Sequence, residues 1–190
     1  MSDSYRGFLS CTLKGVFMSK VMIIMGSSSD RSKIEPAIWP LVGVVDTEIH
    51  VMSAYRTPDE LRKLVIDSDA DIFIAGASMS AALPGTIAAL TVKPVIGIPL
   101  SNARLDGLDA LFTVSQMPKG VPVATVAIDS AENAAILALE ILGLHNQRAE
   151  DTLYGMREDM RQRIVKIDRQ YVENIQARKN EYAREHAETK

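Results

Sequence analysis

Hydrophobic positions along the chain gather into short continuous runs separated by small, polar or helix-forming stretches. The first run, residues 21–25, breaks at Gly26-Ser27-Ser28-Ser29-Asp30, which reads as a buried strand closed by a glycine–serine loop that opens a helix. That helical segment extends to about Trp39, where Pro40 limits it. Residues 44–52 give a second strand. Thr57-Pro58-Asp59-Glu60 then places a capping threonine before a proline at the first helical position, with glutamate three residues after the cap. Leu61, Leu64 and Val65 supply the buried stripe of the helix so begun. Residues 71–75 form a third strand ending at Gly76, and the small-residue segment 80–91 a tightly packed helix with Pro84 and Gly85 near its start. Strand four covers 94–98, a helix runs from Gly107 to about Ser115, and a fifth strand covers 121–128. Asp129 or Ser130 caps an alanine-rich helix that reaches Leu142 and stops at Gly143.

Strands of about five residues alternating with helices imply parallel pairing through right-handed crossovers. Five such units predict an α/β fold with a three-layer, flavodoxin-like parallel sheet. Ligands in that architecture bind beyond the carboxyl ends of the strands, near the switch in strand order. The loops at those ends are 26–30, 53–58, 76–85 and 99–107. Composition changes after Gly143. Residues 145–190 are charged and helix-prone, with Leu153, Met156, Met160, Ile164 and Ile167 at helical spacing. They read as a C-terminal helical arm, packed either on the same subunit or on a neighbour. Residues 18–144 form the expected α/β domain. Residues 1–17 are a leader: an extension, a tag remnant or a misassigned start, since Met18 stands just before the first strand.

Composition narrows the function classes. Hydrophobic residues make up 47% of the chain, enough for a buried core. A net charge of −3 and a pI near 5.6 leave no basic stripe for neutralising phosphates, so no nucleic-acid partner is expected. The C-terminal lysines and arginines are matched by nearby acids and read as a solvated helix surface. Cys11 is the single cysteine, which rules out an internal disulfide and a cysteine-rich metal site, and fits a reducing cytoplasm. No apolar run reaches the roughly 18 residues of a membrane helix. The first 17 residues lack the charged, apolar and cleavage regions of a signal peptide.

Three loops carry candidate chemistry. In the first, backbone N–H groups at a helix N-terminus, aided by Ser27 and Ser29, form a phosphate receptor, and Asp30 suits ribose hydroxyls. The same Ser-Asp pattern is equally a routine helix cap. The Gly-Lys-Ser/Thr ending of a Walker loop is absent. In Ser53-Ala54-Tyr55-Arg56-Thr57-Pro58, Arg56 is either a surface ion-pair partner or a phosphate ligand facing the first loop. Tyr55 beside it serves packing, stacking or weak-acid chemistry. The third loop, Gly76-Ala77-Ser78-Met79-Ser80-Ala81-Ala82-Leu83-Pro84-Gly85, permits close backbone approach to a ligand. Close helix–sheet packing explains its alanines as well.

Taken together these segments resemble the PurE family of purine biosynthesis. Its members are N5-carboxyaminoimidazole ribonucleotide mutases (isomerases) or aminoimidazole ribonucleotide carboxylases (lyases). The three loops match, as do Pro94-Val-Ile-Gly-Ile-Pro99, Gly107-Leu-Asp-Ala-Leu111, Gln116-Met-Pro118, Gly120-Val-Pro-Val-Ala-Thr-Val126 and Asn133-Ala-Ala135, in order from about Lys20 to Leu144. The resemblance implies formation of 4-carboxyaminoimidazole ribonucleotide, from the N5-carboxylated isomer or from aminoimidazole ribonucleotide plus CO2. It implies that Ser27 and Arg56 hold the 5′-phosphate with Ser29 and Ser53 nearby, and that Asp30 holds the ribose hydroxyls. Gly76, Ala77, Ser78, Ala82 and Leu83 would cover the imidazole and its carboxylate. It further implies a homo-octamer with sites at subunit boundaries, and no metal or organic cofactor.

Two departures bear on catalysis. The family's Ser-Ala-His-Arg-Thr-Pro carries an acid–base histidine that moves a proton at imidazole carbon 4, and here that place holds Tyr55. Many members carry a second histidine just before Leu-Pro-Gly, where this chain has Ala82, and Ser78 and Met79 replace the usual glycine pair. Imidazole titrates near 6.5 and phenol near 10, and loss of a general acid–base group costs about 10² to 10⁴ in rate. His50, on the second strand, is expected on the face opposite Tyr55, and His145 near a helix C-terminus, where imidazolium is favoured. Three readings stay open. The chain is an active carboxylation enzyme using Tyr55 or a bound water, a re-purposed homologue that keeps the nucleotide pocket, or an ordinary enzyme with an engineered position 55.

Overall fold

The computed structural model describes residues 19–103 and 105–187, with side chains to Arg184; the leader 1–17 and Cys11 lie outside the described residues. Residues to Ala138 form one compact unit, and those from Leu139 onward a second. In the first, strands β1 (Lys20–Met25), β2 (Asp46–Val51), β3 (Ile72–Ser78), β4 (Val95–Leu100) and β5 (Ala124–Thr125) make a single parallel sheet in the order β2-β1-β3-β4-β5. Helices α1 (Arg31–Ile34), α2 (Pro58–Ile66), α3 (Ala82–Ala88), α4 (Leu108–Ser115) and α5 (Ala131–Gly143) connect and follow the strands. The flavodoxin-like strand order places the switch between β1 and β3, because the chain leaves β1 toward β2 and then returns to the other side.

Burial explains which runs became strands. β1, β3 and β4 are covered on both faces, so they read as unbroken apolar sequence, whereas β2 at the edge mixes exposed and half-buried positions. Met22, Ile24, Phe73, Ala75 and Val95 point to one face and pack with Leu61 and Val65 of α2, Leu83 and Ile87 of α3, and Ala110 and Val114 of α4. Gly76 belongs to the other face. A Cβ there would stand 2.0 Å from Ile34 Cδ1, so glycine lets α1 lie directly on the sheet.

Several boundaries differ from the sequence reading, each for a local reason. The helix expected to reach Trp39 is only one turn of α-helix between two 3-10 turns, Ser28–Asp30 and Glu35–Ala37, because Pro36 interrupts it before Pro40 does. Strand β3 runs through Gly76 to Ser78, and α3 is seven residues long rather than twelve. The fifth strand ladders only at Ala124–Thr125; Pro122 has no N–H to donate, and Val121 is turned toward the Pro118 carbonyl. Thr57 precedes α2 but does not cap it. Its hydroxyl donates instead to Ser53 O (3.1 Å) and accepts from Ser53 N (2.8 Å), while Pro58 removes one of the donors a cap would have served. The Asp129 carboxylate is likewise taken by another partner, Ser101, rather than by the helix it precedes.

The second unit contains the end of α5 and helix α6 (Gln147–Ala187), 41 residues long. Asn146 Oδ1 accepts from Ala149 N–H (3.2 Å), which starts α6 with a side-chain cap. Arg157 Nη2 donates to Glu140 Oε1 (2.7 Å), and Arg161 pairs with Glu158 within the helix. Met160, Ile164, Ile167 and Tyr171 are exposed along it.

Candidate functional site

A cavity of about 460 Å³ opens at the carboxyl ends of β1, β2 and β3, within the range of small-molecule sites. Each wall comes from one loop. Ser27, Ser29 and Asp30 follow β1; Ser53, Tyr55 and Arg56 follow β2; residues 77–83 are the end of β3 and the turn into α3. The position is the one the strand order dictates, since neighbouring loops diverge at the switch and leave a crevice.

Ser27 is the N-cap of the first 3-10 turn. Its Oγ accepts from Ser29 Oγ (3.0 Å) and, more weakly, from Ser29 N–H (3.4 Å). A hydroxyl has one donor and two acceptor positions, so with both acceptors engaged the Ser27 O–H remains suited to donate to an anion. Ser53 Oγ accepts from the N–H groups of Tyr55 (3.3 Å) and Arg56 (3.2 Å), which folds the second loop into a tight turn. Arg56 is swung by that turn across to the first loop, where Nη2 donates to Gly26 O (2.8 Å). One N–H of a five-donor fork is thereby fixed, and the guanidinium is held beside Ser27 and Asp30.

Asp30 is the buried charged residue of the described core, with 8% of its surface exposed. Burial pushes its carboxyl above the ordinary aspartate value. The backbone hydrogen bond from Ser27 and the positive charges of Lys33 and Arg56 draw it partly back. A desolvated carboxylate facing a cavity is held there by neighbours rather than by water, and suits bonding to ligand hydroxyls.

Of the side chains singled out from sequence, Ser27, Ser29, Asp30, Ser53, Tyr55, Arg56, Ala77, Ser78, Ala82 and Leu83 line this one cavity. Gly76 does not; it sits below the floor, packed on Ile34, with its carbonyl accepting from Gly26 N–H (3.3 Å). Met79 and Ser80, inside the predicted 76–85 loop but not singled out there as site residues, line the cavity as well. Tyr55 Oη and Ser80 Oγ are hydrogen-bonded (2.9 Å), joining the second loop to the third. Nothing local in the sequence signals that pair, since its members lie 25 residues apart. Met79 does carry a local signal, as a bulky residue in place of one of the glycine pair usual in the family it resembles.

None of the described residues lining the cavity is a histidine. His50 lies on β2 with Nε2 3.8 Å from Glu48 Oε2. Tyr55 sits in the turn beyond the strand end, so strand pleating does not relate the two. His145 follows α5, its N–H bonded to Leu142 O. Among the described residues no group of three or more His, Cys, Asp or Glu side chains is arranged to hold a metal ion.

A second polar cluster stands at the end of β4. Lys33 Nζ donates to Ser101 O (2.6 Å) and to Ser101 Oγ. Ser101 Oγ donates to Asp129 Oδ2, and Ser101 N–H donates to Asp129 Oδ1 (2.9 Å). Burial alone would raise the Asp129 carboxyl, but the Ser101 bonds and the Lys33 charge outweigh it and hold the carboxyl below the ordinary aspartate value.

Comparison with known proteins places the chain in a family. The AIR carboxylase family matches residues 20–163. An N5-carboxyaminoimidazole ribonucleotide mutase of Methanocaldococcus jannaschii is 50% identical over 149 residues, 78% of this chain and 94% of that protein. A phosphoribosylaminoimidazole carboxylase of Candida glabrata is 41% identical over 156 residues, 78% of this chain and 27% of that longer protein. The crystal structure of Treponema denticola PurE superposes with a TM-score of 0.71 at 27% identity, covering 78% of this chain and 95% of the other. The loops that build the cavity fall inside the matched span, and the chain belongs to the AIR carboxylase family.

Proposed function

We propose that the cavity binds a phosphoribosyl aminoimidazole and that the protein forms 4-carboxyaminoimidazole ribonucleotide in purine biosynthesis. The observation that carries this reading is the convergence of a serine hydroxyl, a desolvated carboxylate and a guanidinium, Ser27, Asp30 and Arg56, on one cavity. Ser27 and Arg56 address the 5′-phosphate, with Ser29 and Ser53 shaping their loops, and Asp30 addresses the ribose hydroxyls. The third loop, through Ala77, Ser78, Ala82 and Leu83, covers the ring. In the mutase direction the carboxyl group leaves the exocyclic nitrogen and joins carbon 4, while one proton leaves carbon 4 and one is returned to the nitrogen. In the carboxylase direction CO2 is the substrate that joins carbon 4.

Tyr55 is the group assigned to the proton, with its hydroxyl partnered by Ser80. Tyr55 and Ala82 in the lining, with no histidine among its described residues, favour a second reading, a homologue that keeps the nucleotide pocket with impaired or different chemistry. The reading as a whole includes a cytoplasmic homo-octamer, with residues 18–144 as the nucleotide domain and 145–190 as an arm in the assembly. No described helix is long and apolar enough to cross a membrane.

The deciding assay follows both possible conversions, from the N5-carboxylated nucleotide and from aminoimidazole ribonucleotide with bicarbonate, for the parent chain and Tyr55→His. Turnover by the parent is the expected result, with a gain of about 10² to 10⁴ in the variant if imidazole restores a matched acid–base group. Activity in the variant alone, with nucleotide bound by both, establishes the second reading. Binding by neither removes the ligand assignment.

A further inference from the structure

The turn between β3 and α3 contains two non-glycine residues with left-handed backbone, Met79 (φ 59°) and Ala81 (φ 38°). Side chains adopt that region at a cost, and it persists only where the surroundings over-determine it. Ala81 has an evident compensation: it is 3% exposed and its methyl packs in the core with Leu83 and Ile87. Ser80 between them is tethered to Tyr55 Oη. Met79 has neither. It is 60% exposed, makes no core contact of that kind, and lines the cavity. Its neighbours fix the turn, and the turn presents an unbranched thioether at the cavity wall.

The chemistry of the walls is divided. Ser27, Asp30 and Arg56 on the first two loops suit a sugar phosphate, whereas the third loop offers Met79 with Ala81, Ala82 and Leu83. A flexible, polarizable thioether makes favourable contact with a flat aromatic ring, and methionine tolerates small shifts of its partner. We propose that Met79 is a specificity-determining residue, closing over the flat ring and separating ring-bearing ribonucleotides from bare ribose phosphates. The inference rests on the nucleotide reading of this same cavity. It explains why a strained backbone carries an exposed apolar side chain at a position where glycine would be free of strain.

The test is calorimetric titration of ribose 5-phosphate and of aminoimidazole ribonucleotide into the parent, Met79→Gly and Met79→Leu, with a thermal melt of each. Glycine relieves the left-handed backbone, so Met79→Gly should melt about 2–4 °C higher. It should bind the ring-bearing nucleotide about 3- to 10-fold more weakly and ribose 5-phosphate within about twofold of the parent. Met79→Leu, which keeps an apolar body of similar size, should stay within about threefold of the parent for the nucleotide. Equal losses for both ligands in Met79→Gly would assign the residue a role in general loop support, and unchanged nucleotide affinity would assign it none. Either overturns the inference while leaving the nucleotide site standing. A parent chain that binds neither ligand overturns both together.

Discussion

Asp30 is the residue at which stability and binding should respond in opposite directions, and Asp30→Asn separates them. Asp30 is 8% exposed, and burial raises its pKa in spite of Ser27, Lys33 and Arg56. A raised folded-state pKa means that the native protein binds the proton more tightly than the unfolded chain does. The residue's favourable contribution is therefore complete below the unfolded value, near 4, and is lost as pH rises through the folded value, so its cost is fully present at neutral pH. Asparagine keeps the volume, and its amide oxygen can still accept the Ser27 N–H. Removing the desolvated charge should stabilise the fold at pH 7 by about 1 kcal/mol, or about 2–4 °C in a protein of this size. Binding should move the other way. Hydrogen bonds to a charged acceptor are worth about 1.5–3 kcal/mol, against about 1 for a neutral one, and in the proposed binding mode two ribose hydroxyls share this acceptor. A loss of about 2 kcal/mol weakens nucleotide affinity roughly 30-fold. Thermal melts between pH 4 and pH 8 and calorimetric titration at pH 7.5 measure both quantities. The stability gap between variant and parent should narrow toward pH 4. A variant that melts lower than the parent at neutral pH, with affinity unchanged, would show that Asp30 is a structural cap and refute the assignment.

Two further predictions concern the scaffold. At Gly97 of β4 a Cβ would stand 2.4 Å from Val114 Cγ1, 2.9 Å from Val123 Cγ1 and 3.3 Å from Pro84 Cβ. All three neighbours are stiff, so Gly97→Ala should destabilise by about 1–3 kcal/mol through overpacking, measurable as a lower urea midpoint with unchanged m-value. Asp129 has a depressed pKa, so its contribution is present above the unfolded value and is lost as pH falls through the folded one. With solvent screening at this partly exposed site, Asp129→Asn should cost about 1 kcal/mol at pH 7, and the deficit should be smaller in urea unfolding near pH 3. An equal deficit at both pH values would mean that the charge on Asp129 plays no part.

The loops that form the cavity were legible because their signals are local. A strand that ends in Gly26 and serines, and a strand followed by Thr57-Pro58, announce turns through backbone chemistry carried by a few adjacent residues. Where a second local rule competed, boundaries moved. Pro36 broke the first helix ahead of Pro40, Pro122 reduced the fifth strand to two laddered residues, and the Thr57 hydroxyl preferred Ser53 to the helix it precedes.

The sequence by itself determined the alternation of strands and helices, the parallel class of the sheet and the three loops at its carboxyl edge, because each follows from residues within about ten positions of one another. Only the tertiary structure decided what those loops do to each other. The Arg56–Gly26, Tyr55–Ser80 and Lys33–Ser101–Asp129 contacts join residues 25 to 68 positions apart, and the withdrawal of Gly76 beneath Ile34 depends on which face of β3 it occupies. Pairwise geometry across a sheet edge is set by strand order and register, and no stretch of chain shorter than the whole domain encodes either one.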